Sequence, residues 1–367
     1  MFSRIPFHRI HWETSIFLIG TLFLTLTAVP LYLWHFGLDW FQIALFFVMF
    51  ICTGLSITLG YHRLFSHLSF KAHWTVRLFT LIFGAAAFEN SAMMWASEHR
   101  RHHKHVDHDD DPYDISKGFF HAHIGWLLFK LKVQPPYDNV ADLLRDPLVQ
   151  WQHRWVQMIA VIVSFVLPTL LGWMWNGAAG ALGAFLIGGV ARVVFLQHCT
   201  FFINSACHTI GNRPYSSRCS ARDSWIMALF TFGEGYHNYH HEFQHDYRNG
   251  VKPWQFDPTK WTIWTLHKLG LAGQLRRVPS EKILLAQLGE TQRHVEAKLS
   301  LVSTAQAEHG LLLTIYERLQ QTANEWEQYR SKQVEISGEM LRSLQQELRT
   351  IIRDLRTLNL PSYAPAS

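Results

Sequence analysis

Three long stretches without Asp, Glu, Lys or Arg restrict the fold of this chain more than any other feature of its sequence. They cover residues 14–38, 40–62 and 155–191, and they are 25, 23 and 37 residues long. A helix that crosses a bilayer needs about 20 mostly apolar residues. Only 17% of the whole chain is charged, whereas a soluble domain has roughly 25%. The sequence therefore predicts an integral membrane protein and argues against a soluble enzyme.

Four transmembrane helices fit these stretches, at about 14–36, 40–60, 155–175 and 178–198. The connections at 35–39 and 175–180 contain no Lys or Arg, and loops that lack these residues tend to face away from the cytoplasm. Both termini and nearly all histidines are then predicted to be cytoplasmic. We expect an all-α, multi-pass integral membrane protein, in the inner membrane of a bacterium.

The last part of the chain, from about residue 280, has a different composition. It contains many Glu, Gln, Arg and Lys and almost no Gly or Pro before Pro361. Alternating three- and four-residue spacing, which is typical of a coiled-coil seam, connects Val334, Ser337, Leu341, Leu344, Leu348, Ile351 and Leu355. The seam predicts either a helix that packs on its own domain or a coiled coil that joins a second copy or a partner. We therefore divide the chain into a membrane domain (1–275), a helical extension (276–357) and a disordered tail (358–367).

Histidine is the second unusual feature, because it accounts for 23 of the 367 residues. Nine histidines and one asparagine form ordered boxes: His62 and His67, then His99, His102 and His103, then Asn204 and His208, then His237, His240 and His241. On a helix, residues three and four apart share a face, so each HxxHH box can direct its rings to one place. Adjacent histidines diverge by about 100°, which suits two neighbouring metal ions rather than one.

The number of histidines bears on the kind of metal site. Nine buried imidazoles near a membrane would be costly without a metal to bind them, and a catalytic zinc uses only about three protein ligands. Imidazole suits iron, copper, zinc and nickel, so the ligands alone leave the metal open. An open site beside an apolar membrane core indicates oxygen chemistry on a lipid-like molecule. We therefore prefer two iron ions, with O₂ as the co-substrate.

The boxes in this order resemble those of the membrane fatty acyl desaturases of the stearoyl-CoA desaturase family. The similarity rests on Gly60-Tyr-His62-Arg-Leu-Phe-Ser-His67, Glu98-His99-Arg-Arg-His102-His103, Asn204-Ser-Ala-Cys-His208 and Gly233-Glu-Gly-Tyr-His237-Asn-Tyr-His240-His241, and it covers about residues 10–265. It implies four transmembrane helices under a cytosolic cap and a nine-histidine di-iron centre. It also implies O₂-dependent insertion of a cis double bond, most often Δ9, into the acyl chain of an acyl-CoA or an acyl-lipid.

The resemblance also implies how the ligands divide between the two irons. One iron would take His62, His103, His208, His237 and His241. The other would take His67, His99, His102 and His240, with Asn204 contacting it through water.

Residues beside the boxes are candidates for supporting roles. Four acids adjoin the ligands and are expected either to accept the second ring N–H or to be ordinary solvated acids: Glu98, Asp107, Glu234 and Glu242. Three aromatic residues are expected to line an acyl tunnel, with helix packing or lipid contact as the alternative for the two phenylalanines: Phe46, Phe50 and Trp95.

The acyl carrier and the electron donor are less well defined. Many family members have Arg-Asp where this chain has Ser97-Glu98, and the resemblance implies that this arginine helps to bind coenzyme A in the animal enzymes. Coenzyme A, a carrier protein and a phospholipid therefore all remain open as carriers. Six cations could meet a phosphate: Lys71, Arg77, Arg100, Arg101, Lys104 and Arg222. No haem-binding domain or iron–sulfur cysteine set is visible, so we expect electrons from a separate ferredoxin-like or haem protein with its reductase.

Two other functions compete with desaturation. A membrane di-iron hydroxylase of fatty acids or lipids would use nearly the same site, and product analysis separates the two. A membrane metal-binding or transport protein would place histidines and acids inside the spans, whereas these boxes lie outside them. The net charge of +5 fits an anionic membrane surface, and we expect no nucleic-acid partner. Self-association through the C-terminal helix is a further expectation.

Overall fold

The computed structural model describes residues 7–129, 136–300, 307–331 and 338–357, and these are mostly helical. The helices of the membrane part are α1 Trp12–Phe36, α2 Trp40–Leu55, α3 Trp74–Ala85, α4 Ala92–His105, α5 Trp126–Leu128, α6 Pro147–Val161, α7 Leu167–Gly183, α8 Arg192–Asn204, α9 Trp225–Phe230, α10 His237–Glu242 and α11 Pro258–Lys268. The helices of the extension are α12 Ser280–Leu299, α13 Ala307–Ser331 and α14 Gly338–Thr357. Two short strands, β1 Lys71–Ala72 and β2 Ala272–Gly273, pair antiparallel. The predicted disordered tail lies outside the described residues.

The turn between α1 and α2 forms where the sequence predicted it. Gly37 has a positive φ of 75°, which glycine adopts without strain. Asp39 and Gln42 then form a capping box, because each side chain accepts the backbone N–H of the other residue, at 2.9 and 3.4 Å. The amide of Gln42 also donates to the hydroxyl of Tyr32 at 2.6 Å. These bonds fix the turn and join the end of α1 to the start of α2.

Helical structure also runs from Pro147 to Asn204, with one break, and a turn at Ser205 separates it from the 3₁₀ helix Ala206–His208. Asn176 (φ −148°) and Gly177 (φ 50°) leave the helical conformation, within the predicted turn 175–180. A Cβ on Gly172 would overlap the carbonyl group of Gly180, so the segments on either side of the break touch. Among the described residues, three helices are long and apolar enough to cross a bilayer: Trp12–Phe36, Trp40–Ser66 and Pro147–His208.

The second of these helices extends further than the sequence predicted. After Leu55 it continues as a π-helix over Ser56–Ser66, and all eleven of these residues are buried. The prediction ended the span at about residue 60. The extension carries His62 beyond the apolar stretch while keeping it on the same rigid element.

A non-helical linker, residues 86–90, joins α3 to α4. Phe88 and Asn90 both have positive φ, 57° and 66°, which is unusual for residues with side chains. Four side chains from other helices donate hydrogen bonds to the backbone carbonyl groups of the linker. Ser164 and Arg192 donate to Ala86 at 2.7 and 2.9 Å. Gln197 donates to Phe88 at 3.2 Å, and Tyr61 donates to Asn90 at 3.3 Å. The linker therefore holds the start of α4 against the membrane helices.

The chain divides into two compact units. The first covers Met1–Asn212 and Cys219–Arg277, and the second covers Arg213–Arg218 and Val278–Ser367. In the second unit, α12, α13 and α14 enclose their own apolar core. Four residues of the predicted seam are buried in this core: Leu344, Leu348, Ile351 and Leu355. Val334 and Ser337 lie outside the described residues. The described seam residues thus pack within the extension, and a coiled coil with a second copy or a partner stays a prediction.

Candidate metal centre

Four elements of the first unit bring the predicted histidines together. They are the π-helix Ser56–Ser66 with the residue that follows it, α4, the short 3₁₀ helix Ala206–His208, and α10. The nine histidines form two groups: His62, His67, His99, His103 and His240 in the first, and His102, His208, His237 and His241 in the second. Within each group, one nitrogen from each ring lies within 4.8 Å of the others.

This division differs from the one that the resemblance implied. His62 and His103 lie in the first group rather than with His208, and His102 lies in the second. The helices explain the pattern. In each HxxHH box the first and last histidines, four residues apart, share a face, and the middle histidine points to the other group. Thus His102 of α4 and His240 of α10 cross over, in opposite directions.

The spacing of the Nε2 atoms fits metal coordination. In the first group, the separations are 3.0 Å for His62–His240, 2.9 Å for His103–His240 and 2.8 Å for His67–His99. In the second group, they are 3.1 Å for His208–His237, 3.1 Å for His237–His241 and 3.3 Å for His102–His241. Two imidazole nitrogens at about 2.1 Å from one ion and roughly a right angle apart would be separated by about 3 Å. The rings therefore stand where the neighbouring ligands of two ions would stand.

The environment also favours unprotonated rings. Burial, followed by repulsion from neighbouring rings, lowers the pKa values of His67, His99, His103, His237, His240 and His241 well below that of a free histidine. A neutral ring offers a lone pair, which metal binding requires. The cluster is thus arranged to bind metal at neutral pH.

Glu234, a predicted supporting residue, contacts the first group. Its Oε2 lies 2.9 Å from Nδ1 of His62, and its Oε1 accepts from Arg63 at 2.9 Å. Asn249 donates to Oε2 at 2.6 Å. Burial alone would raise the pKa of Glu234, but His62 and Arg63 outweigh that effect and hold it below the usual value. Glu234 therefore stays ionised and can orient the His62 ring.

Asp107 supports the second group through another residue. Ser220 donates its hydroxyl to Asp107 at 2.5 Å and its backbone N–H at 2.6 Å. The Ser220 oxygen lies 2.6 Å from Nδ1 of His208. This arrangement lets the ring donate to Ser220 and leaves its Nε2 free for the metal.

Sequence reasoning missed three supporting residues. Asp111 lies 2.9 Å from Nδ1 of His102, and the hydroxyl of Tyr113 lies 3.4 Å from Nδ1 of His99. The third is Ser220. The run Asp109-Asp110-Asp111 just after the second box was a signal for the first of them. Nothing in the sequence marks the other two, because the folding of loops brings them to the rings.

Glu98, Glu242 and Asn204 are the remaining residues that the sequence predicted near the rings. Glu98 precedes His99 on α4 and so points about 100° away from it; within the described part of the chain it makes no hydrogen bond to a histidine. Burial raises the pKa of Glu98 to about 7. Glu242 follows His241 at the end of α10, and Asn204 ends α8 four residues before His208. The roles of these three residues stay predictions.

The predicted tunnel residues lie at different levels. The ring of Trp95 stacks on His99 at 4.7 Å and meets the edge of His62 at 5.9 Å, between centroids. Phe50 lies 5.2 Å from Phe195, 5.2 Å from Phe232 and 6.2 Å from Phe46. Trp95 thus contacts the first histidine group, whereas Phe50 fills the space between helices, which the packing alternative also explains.

Three of the candidate phosphate-binding cations are paired with acids. Arg100 binds Asp142 through two bonds of 2.8 Å. Arg101 binds Asp138 at 3.0 Å, and Arg77 binds Asp146. A phosphate at any of these three arginines would compete with an existing carboxylate.

Comparison with known proteins identifies the family. The family model described as "Fatty acid desaturase" matches residues 38–264. The chain belongs to this family. It is 40% identical over 286 residues to "Acyl-CoA desaturase 1" of Saccharomyces cerevisiae, an alignment that covers 75% of this chain and 55% of the yeast protein.

Two further relatives broaden this comparison. The chain is 36% identical over 245 residues to "Stearoyl-CoA desaturase 5" of Homo sapiens, with 64% of this chain and 72% of the human protein aligned. It is 34% identical over 275 residues to the "sn-1 stearoyl-lipid 9-desaturase" of Anabaena variabilis, with 73% and 94% aligned. The chain spans about half the length of the yeast relative, and most of the length of the Anabaena protein.

Proposed function

We propose that this protein is an O₂-dependent fatty acyl desaturase that inserts a cis double bond, at Δ9, into a saturated acyl chain. The observation that supports this proposal most directly is the pair of histidine groups, in which the Nε2 atoms are spaced like the ligands of two metal ions. Membership of the fatty acid desaturase family supports the same reaction.

The nine histidines would hold two iron ions, five in the first group and four in the second, with Asn204 contacting one of them through water. Bound iron, with O₂ and two electrons, supplies the oxidising power needed to remove hydrogen from a saturated methylene. Glu234, Asp111 and Tyr113 face Nδ1 atoms and keep the rings oriented with Nε2 inward. Burial of the rings excludes water from the reacting position. Trp95 adjoins two of the rings and would form the nearest wall for the acyl chain.

The proposal includes the arrangement in the membrane. The break at Asn176 and Gly177 supports two crossings by Pro147–His208, because each side is longer than the roughly 20 residues that one span needs. Four spans with a cytosolic cap follow, and the turns at residues 37–39 and 176–177 lie on the side away from the histidines. Both termini and the histidine groups would be cytoplasmic, in the inner membrane of a bacterium.

The substrate would be an acyl-CoA or an acyl-lipid, since the relatives are named for both kinds. Electrons would come from a separate ferredoxin-like or haem protein with its reductase. Because the described seam residues are buried within the extension, we assign them to folding of the extension, and self-association stays a prediction.

Expression in a bacterial host with mostly saturated lipids, together with a ferredoxin and its reductase, tests the proposal. Mass spectrometry with double-bond localisation should find a new monounsaturated acid, absent in the His240→Ala variant. The matched control is His108→Ala, because His108 is exposed and belongs to neither group. Hydroxy acids would instead establish the hydroxylase, and no product from an iron-loaded chain supplied with electrons would overturn the proposal.

A further inference from the structure

Exposed apolar side chains lie on α9, on α11 and at Leu269, the residue that follows α11. We call them together the aromatic face and define it by Trp225, Leu229, Phe230, Trp261, Trp264 and Leu269. These side chains are between 42% and 66% exposed. Large apolar patches on a protein surface mark interaction sites. The face lies outside the three candidate membrane helices and takes no part in the histidine groups.

Each helix has a buried side and an exposed side. On α11, Trp261, Trp264 and Lys268 are spaced three and four residues apart and share one side. The residues of the opposite side, Thr259 and Ile263, are buried. On α9, Ala228 is buried beside the exposed apolar residues. Both helices therefore pack on the protein with one side and present the aromatic face with the other.

Contacts with the second membrane helix fix the depth of these elements. The hydroxyl of Thr58 lies 2.7 Å from that of Thr259, at the start of α11. Phe232, just after α9, packs so closely on Gly54 that a Cβ there would overlap its ring. Gly54 and Thr58 lie about 21 and 27 Å along the helix from Trp40, and the hydrocarbon core is about 30 Å thick. Both elements are thus attached within about the last 10 Å of the hydrocarbon core, on the histidine side.

The charges around the face favour one kind of lipid. The ammonium groups of Lys252 and Lys268 lie 5.6 and 5.5 Å from the ring centroids of Trp254 and Trp264. The one acid within 225–230 and 251–270 is Asp257, which is buried and bonded to Arg63. The exposed part of this surface therefore combines aromatic rings with positive charge and carries no negative charge, as in helices that lie on anionic membranes.

We propose that the aromatic face docks on the leaflet of the histidine side, with its rings at the acyl–headgroup boundary and Lys252 and Lys268 on anionic lipid phosphates. The membrane would then help to position the second metal group, because α9 leads through Gly233–Tyr236 directly into α10. This inference does not depend on which metal binds or which reaction follows.

Photo-crosslinking tests the position of the face. The full chain is placed in nanodiscs that contain a phosphatidylglycerol with a diazirine near its headgroup, and the adducts are mapped by mass spectrometry. Adducts on peptides that cover residues 225–230 and 254–269 are the expected result. Adducts confined to the candidate membrane helices would overturn the proposal.

Substitution of the two lysines tests the role of charge. Each basic residue near an anionic surface increases the preference for anionic lipid about fivefold. The preference is measured as the ratio of adduct yields from the anionic and the zwitterionic probe. In the Lys252→Gln/Lys268→Gln variant this ratio should fall roughly 5- to 30-fold. Lys282→Gln, an exposed lysine on α12, is the matched control and should keep the preference. Equal labelling of the unaltered chain by zwitterionic and anionic probes would overturn the assignment to anionic lipid.

Discussion

At the scale of single residues, the buried contact between Glu234 and Arg63 links the first histidine box to the fourth. Arg63 follows His62 in the chain and donates to Glu234 and to Asp257, at 2.9 and 3.2 Å. Arg63, Glu234 and Asp257 are each no more than 2% exposed. One carboxylate thus orients a ligand ring and balances a buried guanidinium.

Glu234→Gln should weaken metal binding more than its small change in shape suggests. Loss of a hydrogen-bond partner behind a ligand typically costs 10- to 100-fold in metal affinity, and a buried charge that loses a partner destabilises by about 3 kcal/mol or more. Iron content after dialysis against a graded chelator, with thermal unfolding, measures both effects. Asp138→Asn is the control, because it breaks an exposed pair worth at most about 1 kcal/mol. Unchanged iron retention in Glu234→Gln would contradict this role.

Glu89, on the linker between α3 and α4, gives a prediction about pH. Burial raises its pKa to about 8, although hydrogen bonds from Thr200 and Trp95 act in the opposite direction. The unfolded chain has a pKa of about 4.5, so the folded state binds the proton more tightly. This contribution to stability is complete below about pH 4.5 and is lost as the pH rises towards 8.

Glu89→Gln should therefore remove part of the pH dependence of stability. Relative to the unaltered chain, the variant should gain about 3 kcal/mol between pH 4.5 and pH 7, because glutamine keeps the hydrogen bond to Thr200 but does not ionise. Thermal unfolding in detergent across this range measures the difference. If the stability of both chains changes equally with pH, Glu89 is not the cause of this pH dependence.

Some features of the metal centre could be predicted from the sequence, and others could not. The nine clustered histidines were predictable because helical spacing places residues three and four apart on one face. Their division into two groups was not, because it depends on how α4 and α10 are rotated towards each other. Asp111, Tyr113 and Ser220 come from loops, whose paths no periodic pattern specifies.

At the scale of elements, the non-helical linker 86–90 is a feature that the charge-free stretches did not predict. A charged residue within a membrane helix generally has a partner inside the protein. Arg192 is completely buried and donates to Ala86 at 2.9 Å and to Gly188 at 3.3 Å. The structure assigns Arg192 to a non-helical linker that needs donors from its neighbours.

Double substitution tests this assignment. Ser164 and Arg192 donate to the same Ala86 carbonyl, so removing both donors leaves a buried acceptor unpaired. Ser164→Ala combined with Arg192→Met should lose about 1 kcal/mol or more beyond the sum of the single changes, as measured by unfolding in detergent. Ser164→Ala combined with Gln197→Leu is the control, because Gln197 donates to Phe88. Additive losses in both pairs would rule out the shared-acceptor role.

At the scale of the whole molecule, chain continuity connects the extension to the second metal group. All nine histidines lie in the first unit, but Arg213–Arg218 belongs to the second. There the backbone N–H of Ser217 donates to Glu290 of α12 at 3.0 Å. Only three residues later, Ser220 supports Nδ1 of His208. The sequence predicted a boundary near residue 276 and could not reveal this inserted segment, because the segment is far from the extension along the chain.

Removal of residues 279–367 should therefore affect the two histidine groups unequally. The first group keeps its supporting contacts, whereas the Ser220 loop loses the anchor at Glu290. We expect the metal affinity of the second group to fall about tenfold or more, so that a graded chelator should leave about one metal ion per chain at concentrations where the full chain should keep two. Glu290→Gln in the full chain should reproduce a smaller loss, and Glu281→Gln, on the same helix, should not. If the shortened chain holds both metal ions as tightly as the full chain, the extension has a role that is independent of the metal centre.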